Sequence, residues 1–268
     1  MKILIYSQQR TRSSFLLDVL CKHYNLTNYF EPYSDILNAS YHQCLDKSSS
    51  NVFKKYLQKS HEVTEKLKNT DNFGTKLFAA SCHNLFKFIG SSARNTQPML
   101  YSLPKSENLA LKKADLVDVR KHYNLDMYDK IYILYRDEVE RLASNFHAEN
   151  HDNFLFHADK KGWREFYSPE NKSLPHLYDW KIKAKLLESV VFKYNIELLK
   201  RTYNNLTILD YKEVPNYVQQ NYPNVTSTHL ETNFNYKNLK KYNELEEIIR
   251  KCQEELKVDE LLTTLLST

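Results

Sequence analysis

Glycine is scarce: Gly74, Gly90 and Gly162 are the only three in 268 residues. A phosphate loop built on successive glycines is therefore excluded, and with it the GxxxxGK[ST] pattern of nucleotide triphosphatases. The cysteines Cys21, Cys44, Cys82 and Cys252 never form a CxxC pair. Neither a zinc knuckle nor a small disulfide scaffold is expected, and a reduced, cytoplasmic setting is the simpler reading. Nowhere do about 18 apolar residues run together, and Met1 to Ser7 is too short for a signal-peptide core, so no membrane span or leader is expected. Charge of one sign is lacking too. With 38 basic against 33 acidic residues the formal charge is +5, enough for a mild attraction to small anions and short of the dense basic stripe of a nucleic-acid binder. No nucleic-acid partner is expected.

What is present suits a globular protein. A hydrophobic content of 41% is enough to bury a substantial core, and no repeat or low-complexity linker divides the chain. We read residues 1–268 as a single domain, with helical or loop insertions near 34–70 and 149–179. Short apolar runs at 2–6, 72–78, 130–135 and 206–211 predict strands. Between them lie helical patterns: Leu16, Leu17, Leu20, Cys21 and Tyr24; a polar stretch at 35–68; a segment at 106–122; and Trp180, Ala184, Leu187, Val191, Tyr194 and Leu198. An amphipathic pattern over 238–265 predicts one C-terminal packing helix. Strands alternating with helices imply an α/β fold, a mainly parallel central sheet flanked by helices. The abundance of Tyr, Asn and Lys is given little weight as a functional signal.

In such a sheet ligands collect beyond the carboxyl ends of the strands, where a helix N-terminus offers unsatisfied N–H groups to an anion. The loop Ser7-Gln-Gln-Arg-Thr-Arg-Ser-Ser-Phe15 follows the first strand. It gathers Arg10 and Arg12 with the hydroxyls of Thr11, Ser13 and Ser14, a chemistry suited to phosphate or sulfate oxygens. Ser13 or Ser14 is expected to cap the helix that follows. Further on, the strand Lys130–Tyr135 runs into Arg136-Asp-Glu-Val-Glu-Arg141-Leu-Ala-Ser144. Arg136 is placed to fork onto a phosphate at the strand's end, and Ser144, eight residues on along a helix, is placed to donate a hydroxyl to it; taken alone, Arg136 reads equally as a surface ion-pair residue with Asp137 or Glu140 available.

These two segments together resemble the 5′-phosphosulfate loop and the 3′-phosphate segment of sulfotransferases that use 3′-phosphoadenosine 5′-phosphosulfate (PAPS). In the loop Arg10 falls on the basic position and Thr11, Ser13 and Ser14 on the hydroxyl positions, with Phe15 next. Arg12 stands where the family more usually has Gly, and Gln9 replaces its Pro. A weaker echo is Leu209-Asp-Tyr211-Lys-Glu-Val214, similar to a strand that ends in Tyr-Glu-Asp-Leu. The resemblance implies a P-loop-like sulfotransferase architecture, PAPS as donor cosubstrate, 3′-phosphoadenosine 5′-phosphate (PAP) as product, and no required metal. It also implies a donor site of Arg10, Thr11, Arg12, Ser13, Ser14, Phe15, Arg136 and Ser144.

On the acceptor side Glu31, in Phe30-Glu31-Pro32-Tyr33, resembles a base found in carbohydrate-sulfating branches, with His83 in reserve. Lys76 resembles a lysine that touches the transferred sulfonate or the acceptor, and could equally be a solvated strand-end lysine. Saccharide, lipid and small-molecule acceptors all stay open. Two other readings stand beside this one. His147 and His151, four apart with Glu149 and Asp152 nearby, permit a metallohydrolase, although Ala148 occupies the place where the zincin motif has Glu. The anion loops also permit a non-catalytic nucleotide or nucleic-acid binder.

Overall fold

Ile3, Leu4, Ile5 and Tyr6 point alternately to two faces, and all four are buried, as a strand covered on both sides requires. They belong to β1 (Lys2–Ser7), the middle strand of the sheet. The computed structural model describes residues 1–9, 11–33, 36, 49–82, 111–150, 179–227, 237 and 242–267. Over these the chain runs β1, α1 (Ser13–His23), β2 (Thr27–Tyr29), α2 (Ser49–Lys68), β3 (Phe73–Phe78), α3 (Val119–His122), β4 (Lys130–Tyr135) and α4 (Glu138–Asn150). It continues through α5 (Asp179–Thr202), β5 (Leu206–Asp210), α6 (Val214–Asn221), α7 (Tyr242–Leu256) and α8 (Val258–Ser267).

The five strands are all parallel, in the order β2-β3-β1-β4-β5. One face packs Ile3, Ile5, Tyr132, Leu134 and Leu209 under α1 and α6. The other packs Leu4, Tyr6, Phe73, Leu77, Ile131 and Ile133 under α5, α8 and α2. Gly74 of β3 faces α1, and a Cβ there would lie 2.6 Å from Cys21 Sγ and 2.9 Å from Leu17 Cδ1. One of the chain's few glycines therefore sets how closely α1 approaches the sheet. Left-handed positions that glycine often fills are held here by Asn25, Asn72 and Asn124, whose short polar side chains tolerate that conformation.

One strand was not expected and three expectations need correction. Thr27–Tyr29 is a strand that carries no apolar run, and it exists because it pairs with β3. The segment 106–122 is not one helix over its described part, 111–122. A short 3-10 turn, Lys113–Asp115, gives way to extended Leu116, and the Asp118 carboxylate then accepts from Arg120 N and Lys121 N to start α3 afresh. The C-terminal helix is two, broken at Lys257 with φ 49. α1 is capped by neither serine: Arg12 is its N-cap residue and makes no side-chain capping bond.

Candidate anion-binding site at the strand ends

The order of the strands decides where a ligand would sit. β1 hands the chain to β2 on one side, while the adjacent β4 hands it to β5 on the other, so the crevice at their carboxyl ends is the sheet's switch point. Ser7 pairs with Phe78 and Leu134, and Tyr135 with Asp210. Arg136 and Tyr211 therefore emerge just past a level edge.

The loop after β1 closes on itself and on its surroundings. Thr11 Oγ1 donates to the Gln8 carbonyl at 2.9 Å, and Gln8 Nε2 donates to Ser189 Oγ of α5 at 2.7 Å. Thr11 and Ser13 are buried, so they shape the loop, whereas Ser14 and Phe15 are half-buried at its mouth. The first α-helical bond of α1 runs from Leu16 N to Arg12 O at 3.1 Å. The N–H groups ahead of Leu16 thus have no acceptor within the helix and point with its dipole toward the crevice.

Arg12 has φ 61 and ψ 19. A left-handed non-glycine residue costs about 1 kcal/mol, and this is the position where the resembling family more usually has Gly. The strained backbone is matched by side-chain contacts: Nη1 donates to the Tyr211 carbonyl at 3.0 Å, and the guanidinium carbon lies 5.2 Å from the Tyr211 ring centre. Arg136 stacks on the same ring at 4.0 Å and donates to its hydroxyl at 3.3 Å. Lys212 approaches the ring at 5.7 Å. Glu140 ties the group together, accepting from Tyr211 Oη at 2.6 Å and pairing with Lys212 at 3.1 Å and with Arg136 at 3.6 Å. Burial and the bond to Glu140 push the Tyr211 hydroxyl up to about 12. For Glu140 burial acts upward, but the bonds from Tyr211 and Lys212 and the charge of Arg136 outweigh it and hold the carboxyl below its ordinary value. Ser144, the other predicted member, is buried on α4. A cleft of about 340 Å³, lined by Asp137, Val139, Glu140, Lys212, Tyr242 and Asn243 among others, adjoins this cluster through Glu140 and Lys212 rather than through the α1 terminus.

A second cluster lies on the β3 side of the loop. Lys76 sits within β3 and is only 2% exposed, a correction to a solvated lysine at a strand end. Its Nζ donates to Ser14 Oγ at 2.7 Å and pairs with Glu31 Oε1 at 2.7 Å. The ammonium also lies 3.7 Å from the centre of the Phe30 ring, which is 39% exposed. Burial pulls the Lys76 pKa down to about 8, against the opposing pull of Glu31. Two predicted acceptor-side residues, Glu31 and Lys76, are thus brought together, and joined through Ser14 to the loop.

Among the predicted residues Arg10 and His83 lie outside the described residues, as do His151 and Asp152. His147 and Glu149 fall in α4, but their side chains are outside the described set. Among the described residues no group of three His, Cys, Asp or Glu side chains could hold a metal, and no helix is long and apolar enough to cross a membrane. Sequence reasoning gave Gln8 no role, named Glu140 only as an ion-pair partner open to Arg136, a pair the structure does contain at 3.6 Å, and read Tyr211 only as part of a weaker echo. The usable signal was positional: Tyr211 follows β5 just as Arg136 follows β4. No family model matches this chain, and none of the curated proteins matches it.

Proposed function

We propose that this chain is a sulfotransferase of P-loop-like architecture that moves a sulfuryl group from PAPS to a hydroxyl or amine acceptor. One observation carries the reading: Arg12 and Arg136 meet on Tyr211, and they come from the two segments that resemble opposite ends of the donor site. The donor chemistry fits the side chains present. Guanidiniums, a serine hydroxyl and the amides of a helix N-terminus suit a ligand with an anion at each end.

In this reading Arg12, Ser14 and the α1 amides hold the 5′-phosphosulfate, and Arg136 with Ser144 holds the 3′-phosphate. Arg10 joins the first group by its place in the loop sequence. The donor supplies a sulfuryl group on a good leaving group: its bond from sulfur to the bridging oxygen breaks, a bond from sulfur to the acceptor forms, and PAP departs. Glu31 takes the acceptor proton. Lys76 holds the Glu31 carboxylate beside the loop, 2.7 Å from its own ammonium, and places positive charge where negative charge builds on the transferred group. Phe30 leaves an exposed ring at the acceptor side.

Thermal denaturation with added nucleotide tests this. Saturating PAP is expected to raise the melting temperature by about 5 °C more than ADP, which lacks the 3′-phosphate. Equal shifts from the two nucleotides, or none, overturn the reading.

A further inference from the structure

Tyr211 is the part of this site that the donor reading does not require, yet it contacts side chains from three segments of the site. Arg12 arrives from the β1–α1 loop, Arg136 from the end of β4, and Lys212 from Tyr211's own turn, and all three place their charged groups within 6 Å of the one ring, at 5.2, 4.0 and 5.7 Å. The turn itself is anchored to the neighbouring strand, because Tyr211 N donates to Tyr135 O at 2.9 Å. Its carbonyl accepts from Arg12 at 3.0 Å and its hydroxyl accepts from Arg136 at 3.3 Å while donating to Glu140 at 2.6 Å. Backbone, ring and hydroxyl of one residue between them hold Tyr135, Arg12, Arg136, Lys212 and Glu140.

We infer that Tyr211 is a positioning residue that couples the two anion-binding arginines, so that filling the pocket at Arg12 improves the pocket at Arg136. The inference rests on the bisphosphate reading above. Two guanidiniums against one ring repel each other, and the ring face together with the Glu140 carboxylate offsets that repulsion. An anion bound at either arginine lowers the repulsion further and leaves the other better stacked. Coupling of this kind is reciprocal. It also accounts for an arginine where the resembling family has glycine: Arg12 keeps the left-handed backbone, with φ 61, and adds a side chain that reaches the far pocket's platform. A glycine there would serve the loop equally well and would carry no signal to Arg136.

A double-mutant cycle on PAP binding by calorimetry isolates the effect, with AMP as the probe that lacks the 3′-phosphate. By direct contact alone, R12G weakens AMP and PAP equally. Coupling predicts that R12G also shrinks the preference for PAP over AMP by about fivefold or more, and that R12G and R136A are non-additive by a similar factor. The cycle is expected to become additive in Y211L and to stay coupled in Y211F, which keeps the ring. R12K, which retains the charge without the planar stack, is expected to behave like R12G and needs no change at Tyr211, so it answers the question if Y211L fails to fold. An additive cycle in the Tyr211 protein, or an R12K protein with the full preference for PAP, overturns the coupling and leaves the donor reading intact. A wild-type protein with no preference for PAP over AMP overturns both.

Discussion

On the α1 face of the sheet, Lys76 is buried within β3 and its partner Glu31 keeps 28% of its side chain in solvent. On the α5 face, Arg141 of α4 is fully buried, and its Nη2 bonds Glu138, Ser189 Oγ at 3.0 Å and the Lys185 carbonyl at 3.4 Å. Ser189 in turn donates to Glu138 at 2.8 Å and accepts from Gln8 at 2.7 Å. The first cation is held at a cost, visible in a pKa pulled down to about 8 by burial. The second closes a network that joins three chain segments and supports the anion loop from below. Charge burial that a fold tolerates marks a site, and charge burial that a fold uses marks a joint.

R141M should break that contrast most sharply. Removing one partner of a buried ion pair leaves the Glu138 carboxylate without its cation, and a loss of about 3–5 kcal/mol is expected in urea denaturation. Among the described residues Arg141 Nε and Nη1 have no hydrogen-bond partner, so within that set the guanidinium is only partly answered. The double variant R141M/E138L should accordingly regain most of the loss, whereas a double variant as unstable as R141M would refute the pairing as the cause.

K76M should act in the opposite direction. It removes a charge that burial disfavours, and stability near neutral pH is expected to rise by on the order of 2–3 kcal/mol while PAP binding falls. The sign of the pH dependence follows from the direction of the shift. The folded pKa of about 8 lies below the ordinary 10.5, so between these values the unfolded chain binds more protons and the Lys76 protein gains stability as pH rises. The stability gap between K76M and wild type should therefore narrow from pH 8 to 10.5 in paired melts. A constant gap would show that Lys76 is not the titrating group.

The smallest effect expected is that of G74A, which probes how tightly the α1 face is closed. A methyl group 2.6 Å from Cys21 Sγ and 2.9 Å from Leu17 Cδ1 must displace buried side chains, and a loss of about 1–2 kcal/mol is expected. A G74A protein as stable as wild type would mean that α1 sits more loosely than its contacts imply.

Much of this was legible in the chain. β1, β3, β4 and β5 were legible as short apolar runs; β1, β3 and β4 are buried along nearly their whole length, and a strand covered on both faces needs no polar alternation. Arg136 and Ser144 could be named from spacing along one strand and one helix. β2 was not legible, since Thr27–Tyr29 owes its conformation to the neighbour it pairs with. The N-cap was misjudged for a related reason. Serine is favoured by local hydrogen bonding, but Arg12 is stabilised at φ 61 by a tyrosine 199 residues away in sequence. The break at Lys257 was hidden as well, because the amphipathic pattern continues on both sides of it.

By itself, the sequence determined the alternation of strands and helices, the absence of a glycine loop, and the cationic residues that follow β1 and β4. These depend on side-chain polarity and local spacing, which are written in order along the chain. Only the tertiary structure decided that Glu31 meets Lys76, that Arg12 and Arg136 share the Tyr211 ring, and that Arg141 is sealed beneath the loop. Those meetings depend on which strands lie side by side, and strand order is set by how apolar faces pack rather than by the residues that happen to meet.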